Sequence, residues 1–292
     1  MKKLLFGCIV LLLCCLSCGN RKTKVDPFAS LTAMVDSAQH RTAQVDTLAL
    51  AAAQEAKEQA KMMEPSDADE LFDDFIFNFA TNEKLQKART LFPLPYYKGD
   101  SCLRLQPKYW RHDYLFAKQN FYTLLFDREE DMELVGDTAL KSVQVEWIYL
   151  KTHSVKKYYF ERKEGIWRLE AINLRPIPQG DDEDFVSFYT RFSSDSVYQA
   201  AHIHEPLAYV TIDPDDEFSI LETTLEASQW AAFRSIVPSD HLTNINYGQR
   251  NDDQSSTKMI KINGIGNGYS VVYYFRRRAG EWKLYKFEDT SI

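Results

Sequence analysis

The segment around residue 204 has the composition of a metal site. It contains His202, His204 and Glu205, all of them residue types that bind zinc. Residues two apart share a face on a strand, but this segment is predicted to be a helix end or a loop before Pro206, where the two imidazoles point apart. No third ligand is adjacent, so we predict a polar helix end and assign no metal ligand.

Two other patterns imitate binding loops. The acidic run within residues 213–217 could hold calcium, but Phe218 stands at the sixth position, where an EF-hand loop needs glycine. The glycines within residues 264–268 imitate a phosphate loop, yet a strand pattern follows at 269–275 instead of a helix. The arginines at 276–278 continue that strand, so their side chains alternate between its faces. We predict an acidic turn, a hairpin turn and a solvated strand end.

One cluster could support acid–base chemistry. His112, Asp113 and Tyr114 are adjacent, and an aspartate with a tyrosine among apolar walls can serve as acid or base. The simpler interpretation is a loop or helix surface. The chain has no G-x-S-x-G, H-E-x-x-H or Walker motif. We therefore assign no catalytic, cofactor-binding or metal residue, predict no cofactor, and favour a non-enzymatic role with an enzymatic one left open.

The overall charge argues against one class of partner. Lysine and arginine number 35 against 42 acidic residues, which gives a net charge of −7. A dedicated nucleic-acid binder needs a dense cationic face, so we expect no nucleic-acid partner. A length of 292 residues with 45% hydrophobic side chains is enough for about two folded domains.

The N-terminus predicts export. Lys2 and Lys3 precede an apolar run over residues 4–16, which is shorter than the roughly 20 residues that a membrane-spanning helix needs. This pattern is typical of a secretory signal. The run ends in Leu16-Ser17-Cys18-Gly19, which resembles the lipobox of bacterial lipoproteins, although Cys15 holds the place where a lipobox usually has leucine.

That resemblance implies that residues 1–17 are a signal peptide and that Cys18 is lipidated, so that the membrane is a partner. Gly19 differs from the aspartate that retains some lipoproteins in the inner membrane, which favours the outer membrane. Basic residues follow at 21, 22 and 24, unlike the acidic tags of surface-exported lipoproteins. We expect a lipid-anchored protein of the outer membrane that faces the periplasm.

The remaining cysteine is Cys102, because the other four lie in the leader. A lone cysteine in an oxidising compartment has no partner in its own chain. We expect a buried thiol, with an intermolecular disulfide as the alternative.

Residues 18–65 are predicted to be a tether. The segment has a single aromatic residue, Phe28, and becomes alanine-rich from Ala49 to Ala60. Alanine, glutamate, glutamine and lysine all favour helix, so part of the tether is expected to be an exposed helix that ends at Pro65, with the rest coiled or disordered.

Beyond Pro65 the chain repeats itself. A window from Tyr158 to Leu169 recurs 115 residues later, from Tyr273 to Leu284, with matching aromatic, arginine, glycine and tryptophan positions. Weaker matches occur in the same order at offsets of 110, 112 and 113 residues. We predict a tandem duplication with domains at 66–178 and 181–292.

Each unit begins with a helical pattern and ends with strands. Apolar residues recur at helical spacing at Leu71, Phe75 and Phe79, and again at residues 185, 188 and 192. The acidic residues at 181–184 suit the start of the second helix. In the strand over residues 143–149, apolar and polar residues alternate, which predicts one buried and one solvated face. Gly165 and Gly280 mark hairpin turns, so each unit is α+β.

The closing pattern F-x-R-x-x-G-x-W-x-L, from Phe160 to Leu169 and from Phe275 to Leu284, resembles the last hairpin of the nuclear-transport-factor-like (NTF2-like, cystatin-like) cone fold. The resemblance implies two tandem cone domains, each with N-terminal helices packed on a curved antiparallel sheet. Together with the leader and spacer, they resemble a family of Gram-negative lipoproteins of unknown function.

This fold hosts enzymes and binding modules alike, so the resemblance does not decide the function. We expect a non-catalytic module that binds an unidentified small molecule or envelope protein. The alternative is an enzyme of the ketosteroid-isomerase type acting on a small molecule. The alternative predicts an ionisable residue with a shifted pKa in one cone only. A binding or structural role predicts that both cones are filled with side chains or lined without such a group.

Overall fold

A computed structural model describes residues 47–177, 183–249 and 255–292. The predicted signal peptide, Cys18 and most of the tether lie outside these residues. The described residues from Ala56 onward belong to one compact unit, Ala56–Ile292. Within the described residues, no helix is both long and apolar enough to cross a membrane.

The alanine-rich stretch is helical, as predicted. Helix α1 covers residues 47–62, and its side chains are exposed except for a half-buried Met62. The helix ends shortly before Pro65, which cannot continue it because proline lacks an amide hydrogen. A short 3-10 turn, Asp67–Asp69, then leads into the folded part of the chain.

Five further helices accompany the two halves. In the first half, α2 is Phe72–Thr81 and α3 is Glu83–Ala88; in the second, α4 is Glu183–Ser194, α5 is Ser196–Ala201 and α6 is Trp230–Phe233. The short helices α3 and α5 begin in the same way: Asn82 accepts a hydrogen bond from Leu85 N and Asp195 accepts two, from Val197 N and Tyr198 N. These caps satisfy amides that have no partner inside the helix.

Twelve strands form two sheets of six. The strands of the first half are β1 Leu94–Lys98, β2 Ser101–Leu105, β3 Phe121–Phe126, β4 Ser142–Tyr149, β5 Ser154–Lys163 and β6 Ile166–Pro176. Those of the second half are β7 Ile203–Asp213, β8 Asp216–Leu225, β9 His241–Asn246, β10 Thr257–Gly264, β11 Ser270–Arg278 and β12 Glu281–Asp289. The sheet orders are β2-β1-β6-β5-β4-β9 and β3-β10-β11-β12-β7-β8. Most pairs are antiparallel, and the α+β prediction is confirmed.

Each half gives one strand to the sheet of the other. Strand β3 pairs with β10 in the second sheet, and β9 pairs with β4 in the first. The predicted domains at 66–178 and 181–292 therefore correspond to the two halves of the sequence, but neither half completes its sheet alone. We call the first sheet with α2 and α3 the first cone, and the second sheet with α4, α5 and α6 the second cone.

The exchanged strands meet at two threonines. Thr123 N donates to Thr243 Oγ1 at 2.7 Å and Thr243 N donates to Thr123 Oγ1 at 2.8 Å. Each threonine hydroxyl also donates a hydrogen bond to the backbone carbonyl of the other threonine. Both threonines are buried. This reciprocal arrangement relates the two halves by a local two-fold pseudosymmetry.

The expectation of a solvated face on β4 is wrong at Glu146. This side chain is buried, and it pairs with Lys157 at 2.7 Å and accepts from Asn244 of the exchanged strand at 2.9 Å. Ile148, on the same face, belongs to the core of the second cone. The face is buried because the strands of the two halves interlock here, and a buried charge requires such partners.

The two cores repeat one aromatic packing. In the first core, the ring centroid of Phe72 lies 5.5 Å from that of Phe160 and 4.9 Å from that of Trp167. In the second core, the ring centroid of Phe185 lies 5.5 Å from that of Phe275 and 5.1 Å from that of Trp282. The helices therefore match at an offset of 113 residues, because Phe72 corresponds to Phe185. The predicted offset of 110, which matched Phe75 with Phe185, is wrong by one helical turn.

The hairpin prediction is confirmed. Gly165 and Gly280 take φ values of +81° and +84° in the turns between β5 and β6 and between β11 and β12. Residues that carry a side chain rarely adopt this left-handed backbone conformation, so glycine is favoured at both turns.

Cys102 does not lie in a core. It is exposed on β2, at the edge of the first sheet, so the expectation of a buried thiol is wrong. An edge strand of five residues with four exposed side chains has no second layer to cover it.

Candidate functional site

The histidine segment does not form a metal site. His202 follows α5 and stacks on Tyr198 at 3.7 Å, while His204 lies exposed on β7 and Glu205 accepts a hydrogen bond from Ala227 N. The segment from Ile203 onward is a strand, where a helix end or loop was predicted. Within the described residues, no group of three or more histidine, cysteine, aspartate or glutamate side chains is placed to hold a metal ion.

The other imitations of binding loops are structural. In the turn between β7 and β8, Asp213 accepts from Asp215 N and Asp216 accepts from Phe218 N, which are local turn contacts. The glycines at 264–268 connect β10 to β11, as predicted. The acidic residues at 181 and 182 lie outside the described residues.

Asp113 belongs to a cluster of interacting polar side chains in the first cone. Tyr158 OH donates to Asp113 Oδ2 at 2.5 Å, and Lys156 Nζ lies 2.5 Å from Tyr158 OH and 3.5 Å from Asp113 Oδ2. Tyr158 is buried, whereas the side chains of Asp113 and Lys156 are 35% and 22% exposed. The two charged side chains are therefore partly exposed, while the tyrosine between them and the core is buried.

The backbone at Asp113 is fixed by a buried glutamine. Gln86 Oε1 accepts from Asp113 N at 2.8 Å, and Gln86 Nε2 donates to Asp113 O at 2.7 Å. The same amide group donates to Phe79 O, which ties the loop to α2. Asp113 Oδ1 accepts from Leu115 N, so one carboxylate oxygen is used in the turn and the other faces Tyr158.

Aromatic residues surround this cluster. Trp147 lies opposite Lys156 in the pairing of β4 with β5, and Tyr149 follows on the same face. Tyr96 of β1 pairs with Ile172, which in turn lies opposite Tyr158. We define the first-cone cluster as the five residues Asp113, Lys156, Tyr158, Tyr96 and Tyr149.

The exchanged strand borders the cluster. His241 of β9 lies opposite Tyr149, and its ring centroid is 4.8 Å from that of Trp147. Gln119 Nε2 lies 3.0 Å from His241 Nε2. A side chain of the second half thus helps to wall a site of the first cone.

Burial and charge raise the pKa values of two phenols of the cluster, those of Tyr158 and Tyr149. Burial raises the pKa of Tyr158 far above its usual value, and the nearby Asp113 carboxylate raises it further. Burial also raises the pKa of Tyr149, with Asp113 and Tyr96 as further contributors. The hydroxyl of Tyr158 is therefore a hydrogen-bond donor to Asp113, and it does not ionise at neutral pH.

The corresponding tyrosine of the second cone has a different partner. Tyr273 occupies the position of Tyr158, but its hydroxyl donates to the backbone oxygen of Ile236 at 3.0 Å. Val271 stands where Lys156 stands, and Phe233 follows Trp230 by three residues as Asp113 follows Trp110. The correspondence of the two tryptophans is structural, since each donates to the matching glutamine, Gln86 or Gln199.

A cavity of about 270 Å³ lies beside Ile236. Its described lining has no acidic or basic side chain and consists of Asn120, Phe121, Ile236, Asn267, Gly268, Tyr269, Ser291 and Ile292. The described lining of this cavity therefore differs from the first-cone cluster, although the two cones share their packing.

The second half has a groove beside His202, and the matching residue of the first half is the buried Arg89. The groove, of about 470 Å³, includes Phe188, His202 and Trp282 in its lining. At the position of His202 the first half has Arg89, which pairs with Asp69 at 2.8 Å, both 2% exposed, and donates to the carbonyls of Met62 and Glu64. Within the described part of the chain, the residues that line this groove begin at Asp184.

Another carboxylate lies between the halves. Tyr247, which follows the exchanged strand β9, donates to Asp73 of α2. Burial raises the pKa of Asp73, although the hydrogen bond from Tyr247 opposes this. The contact joins a helix of the first half to a residue of the second, so we interpret it as structural.

The sequence pointed to Asp113 as a candidate but did not point to its contacts with Tyr158 and Lys156. Of the three adjacent candidates, His112 contacts Ala80 O and Tyr114 lies under Lys118, so neither joins Asp113. Tyr158 was recognised as part of the repeat and not as part of a site. The available signal was the difference between the aligned hairpins, where Lys156 of one replaces Val271 of the other.

Helices packed on two curved, mostly antiparallel sheets define an α+β protein of the NTF2-like class. The crystal structure of an NTF2-like protein from Bacteroides fragilis is 61% identical, covers 78% of this chain and 100% of its own chain, and superposes with a TM-score of 0.75. A family model described as a domain of unknown function, DUF4348, matches residues 51–289. The chain therefore belongs to the DUF4348 family. A comparison with curated proteins found no match.

Proposed function

We propose that this protein is a non-catalytic binding module of the outer membrane, anchored through a lipidated Cys18, facing the periplasm and holding a small molecule at the first-cone cluster. The observation that carries the ligand site is the difference between the cones. Asp113, Lys156 and Tyr158 interact in the first cone, and the matching tyrosine of the second donates to the backbone oxygen of Ile236. The apolar leader and the Cys18 motif support the anchor.

The arrangement of Asp113 favours binding over catalysis. An ionisable residue in one cone is what the isomerase-type alternative predicts. A general base, however, loses its negative charge when it takes a proton from the substrate. The oxygens of Asp113 accept from Tyr158 and from Leu115 N, and its charge is paired with Lys156. Taking a proton would remove the charge that pairs with Lys156, whereas a hydrogen bond from a ligand hydroxyl uses a remaining lone pair and leaves the ion pair intact.

Native mass spectrometry of the full chain, extracted gently from its own envelope, tests this proposal. We expect a reproducible small-molecule adduct on the wild-type chain that is lost in Asp113→Asn. This variant keeps the shape of the side chain and an oxygen for Leu115 N, so the fold should persist. Tyr273→Phe is the matched control in the second cone, and it should retain the adduct.

Two results would contradict the proposal. An adduct that persists in Asp113→Asn would place the ligand elsewhere. A co-purifying protein with no small adduct would replace the ligand-binding role with a protein-binding one.

A further inference from the structure

The charge of the first-cone cluster is balanced internally. Lys156 Nζ lies 3.5 Å from Asp113 Oδ2 and 4.5 Å from the ring centroid of Tyr158. The raised pKa values of Tyr158 and Tyr149 keep these two phenols uncharged at neutral pH. A ligand of either charge would separate this pair and leave one partner without its counter-ion, which is costly where the groups are partly desolvated. An uncharged ligand leaves the pair intact.

The polar groups of the cluster also argue against a purely apolar ligand. Covering Asp113 and Lys156 with hydrocarbon would remove their water without replacing its hydrogen bonds. A hydroxyl group both donates and accepts, so a ligand with several hydroxyls can satisfy a carboxylate and an ammonium together. Both charged side chains are partly exposed, Asp113 at 35% and Lys156 at 22%.

Aromatic faces complete the chemistry. Trp147 and Tyr149 are half-buried and nearly parallel, with ring centroids 6.5 Å apart and an angle of 26°. Tyr96 is half-buried on the neighbouring part of the sheet. Flat apolar rings beside hydrogen-bonding groups suit a ligand that has an apolar face and a hydroxylated edge.

We infer that the first-cone cluster binds an uncharged, polyhydroxylated ligand of the carbohydrate class. Asp113 accepts hydrogen bonds from ligand hydroxyls, Lys156 donates to them, and Trp147 with Tyr149 contacts the C–H face of a sugar ring. This inference rests on the proposed function, because it specifies the ligand of the same site.

The test begins with the adduct of the native chain. The adduct is released, cleaved by acidic methanolysis and analysed for monosaccharides. Recovery of neutral sugars in proportion to the protein supports the inference. An adduct that depends on Asp113 but yields no sugar overturns it and leaves the proposed binding module standing. An adduct that does not depend on Asp113 overturns the proposed function itself.

Calorimetric titration with uncharged oligosaccharides of the recovered composition supplies the second step. We expect Asp113→Asn to weaken binding about 10- to 100-fold, as for loss of a hydrogen bond to a charged group. Tyr273→Phe should bind like the wild type. Sulfated forms of the same oligosaccharides should bind more weakly than the uncharged forms. Equal affinity of the wild type and Asp113→Asn, or preference for the sulfated form, would overturn the inference.

Discussion

Tyr158 and Tyr273 occupy matching positions in the closing hairpins of the two cones, yet their hydroxyls have different partners. Tyr158 donates to the Asp113 carboxylate, and Tyr273 donates to the backbone oxygen of Ile236. The phenol is buried in both cones, so packing alone does not explain the difference. The first cone has acquired a charged pair beside its tyrosine, which is why we place the ligand there.

The tryptophans of the two hairpins should be equally important for stability. Trp167 and Trp282 are buried against Phe72 and Phe185 respectively. We expect Trp167→Ala and Trp282→Ala each to lower the free energy of unfolding by about 3 to 5 kcal/mol in urea titrations. Because the halves exchange strands, both variants should shift one common transition. Tyr109→Ala, at an exposed ring, is the control, and an unchanged midpoint in both tryptophan variants would show that the hairpins are misassigned.

The buried ion pair of Arg89 and Asp69 should contribute strongly to the stability of the first half. We expect Arg89→Met to destabilise the chain by about 3 to 5 kcal/mol, because Asp69 would remain buried without its partner. The double variant Arg89→Met with Asp69→Asn should recover part of this loss. His202→Gln changes the matching position of the second half, where the imidazole stacks on the half-buried Tyr198, and it should have the smaller effect. Thermal unfolding that ranks these variants in the opposite order would contradict the correspondence.

The raised pKa of Asp73 determines how this residue changes the free energy of unfolding with pH. Its pKa is raised in the folded chain, chiefly by burial, so the folded state binds this proton more tightly than the unfolded state. Its contribution is therefore most favourable below the ordinary aspartate pKa near 3.8 and is lost as pH rises through the raised value. Asp73→Asn should gain stability over the wild type at pH 7, with a smaller gain at pH 4. The exposed Asp74→Asn is the control, and a gain that grows toward low pH would contradict the assignment.

The lipid anchor is tested by replacing one atom. Cys18→Ala lacks the sulfur to which the lipid would be attached, so we expect the chain to leave the detergent phase in phase-separation assays and to become soluble after export. Cys15→Ala is the matched control and should remain with the detergent. Continued membrane association of Cys18→Ala would exclude this anchor.

Local patterns predicted most of the elements. The hairpin turns at Gly165 and Gly280 follow from short-range sequence, because a left-handed turn residue is marked by glycine itself. The helix over residues 47–62 likewise follows from composition. The strands were placed correctly where apolar residues alternate, as in β10 and β11.

The partners of the strands could not be predicted in the same way. Strands β3 and β9 are buried on both faces, and no local pattern in the sequence shows which sheet they join. Glu146 illustrates the consequence, since its burial depends on a strand nearly 100 residues away in sequence. The contact between Asp113 and Tyr158 spans 45 residues. Such contacts depend on the assembled sheet, so adjacency in the sequence pointed to His112 and Tyr114 instead.

The most direct test of a ligand site in the first cone is hydrogen–deuterium exchange of the gently extracted chain, compared before and after its small-molecule adduct is stripped. The account predicts that the bound ligand slows amide exchange around Asp113 and along β5, while the matching segments around Phe233 and along β11 exchange at unchanged rates. Slowing confined to the second cone, or spread equally over both, would contradict it.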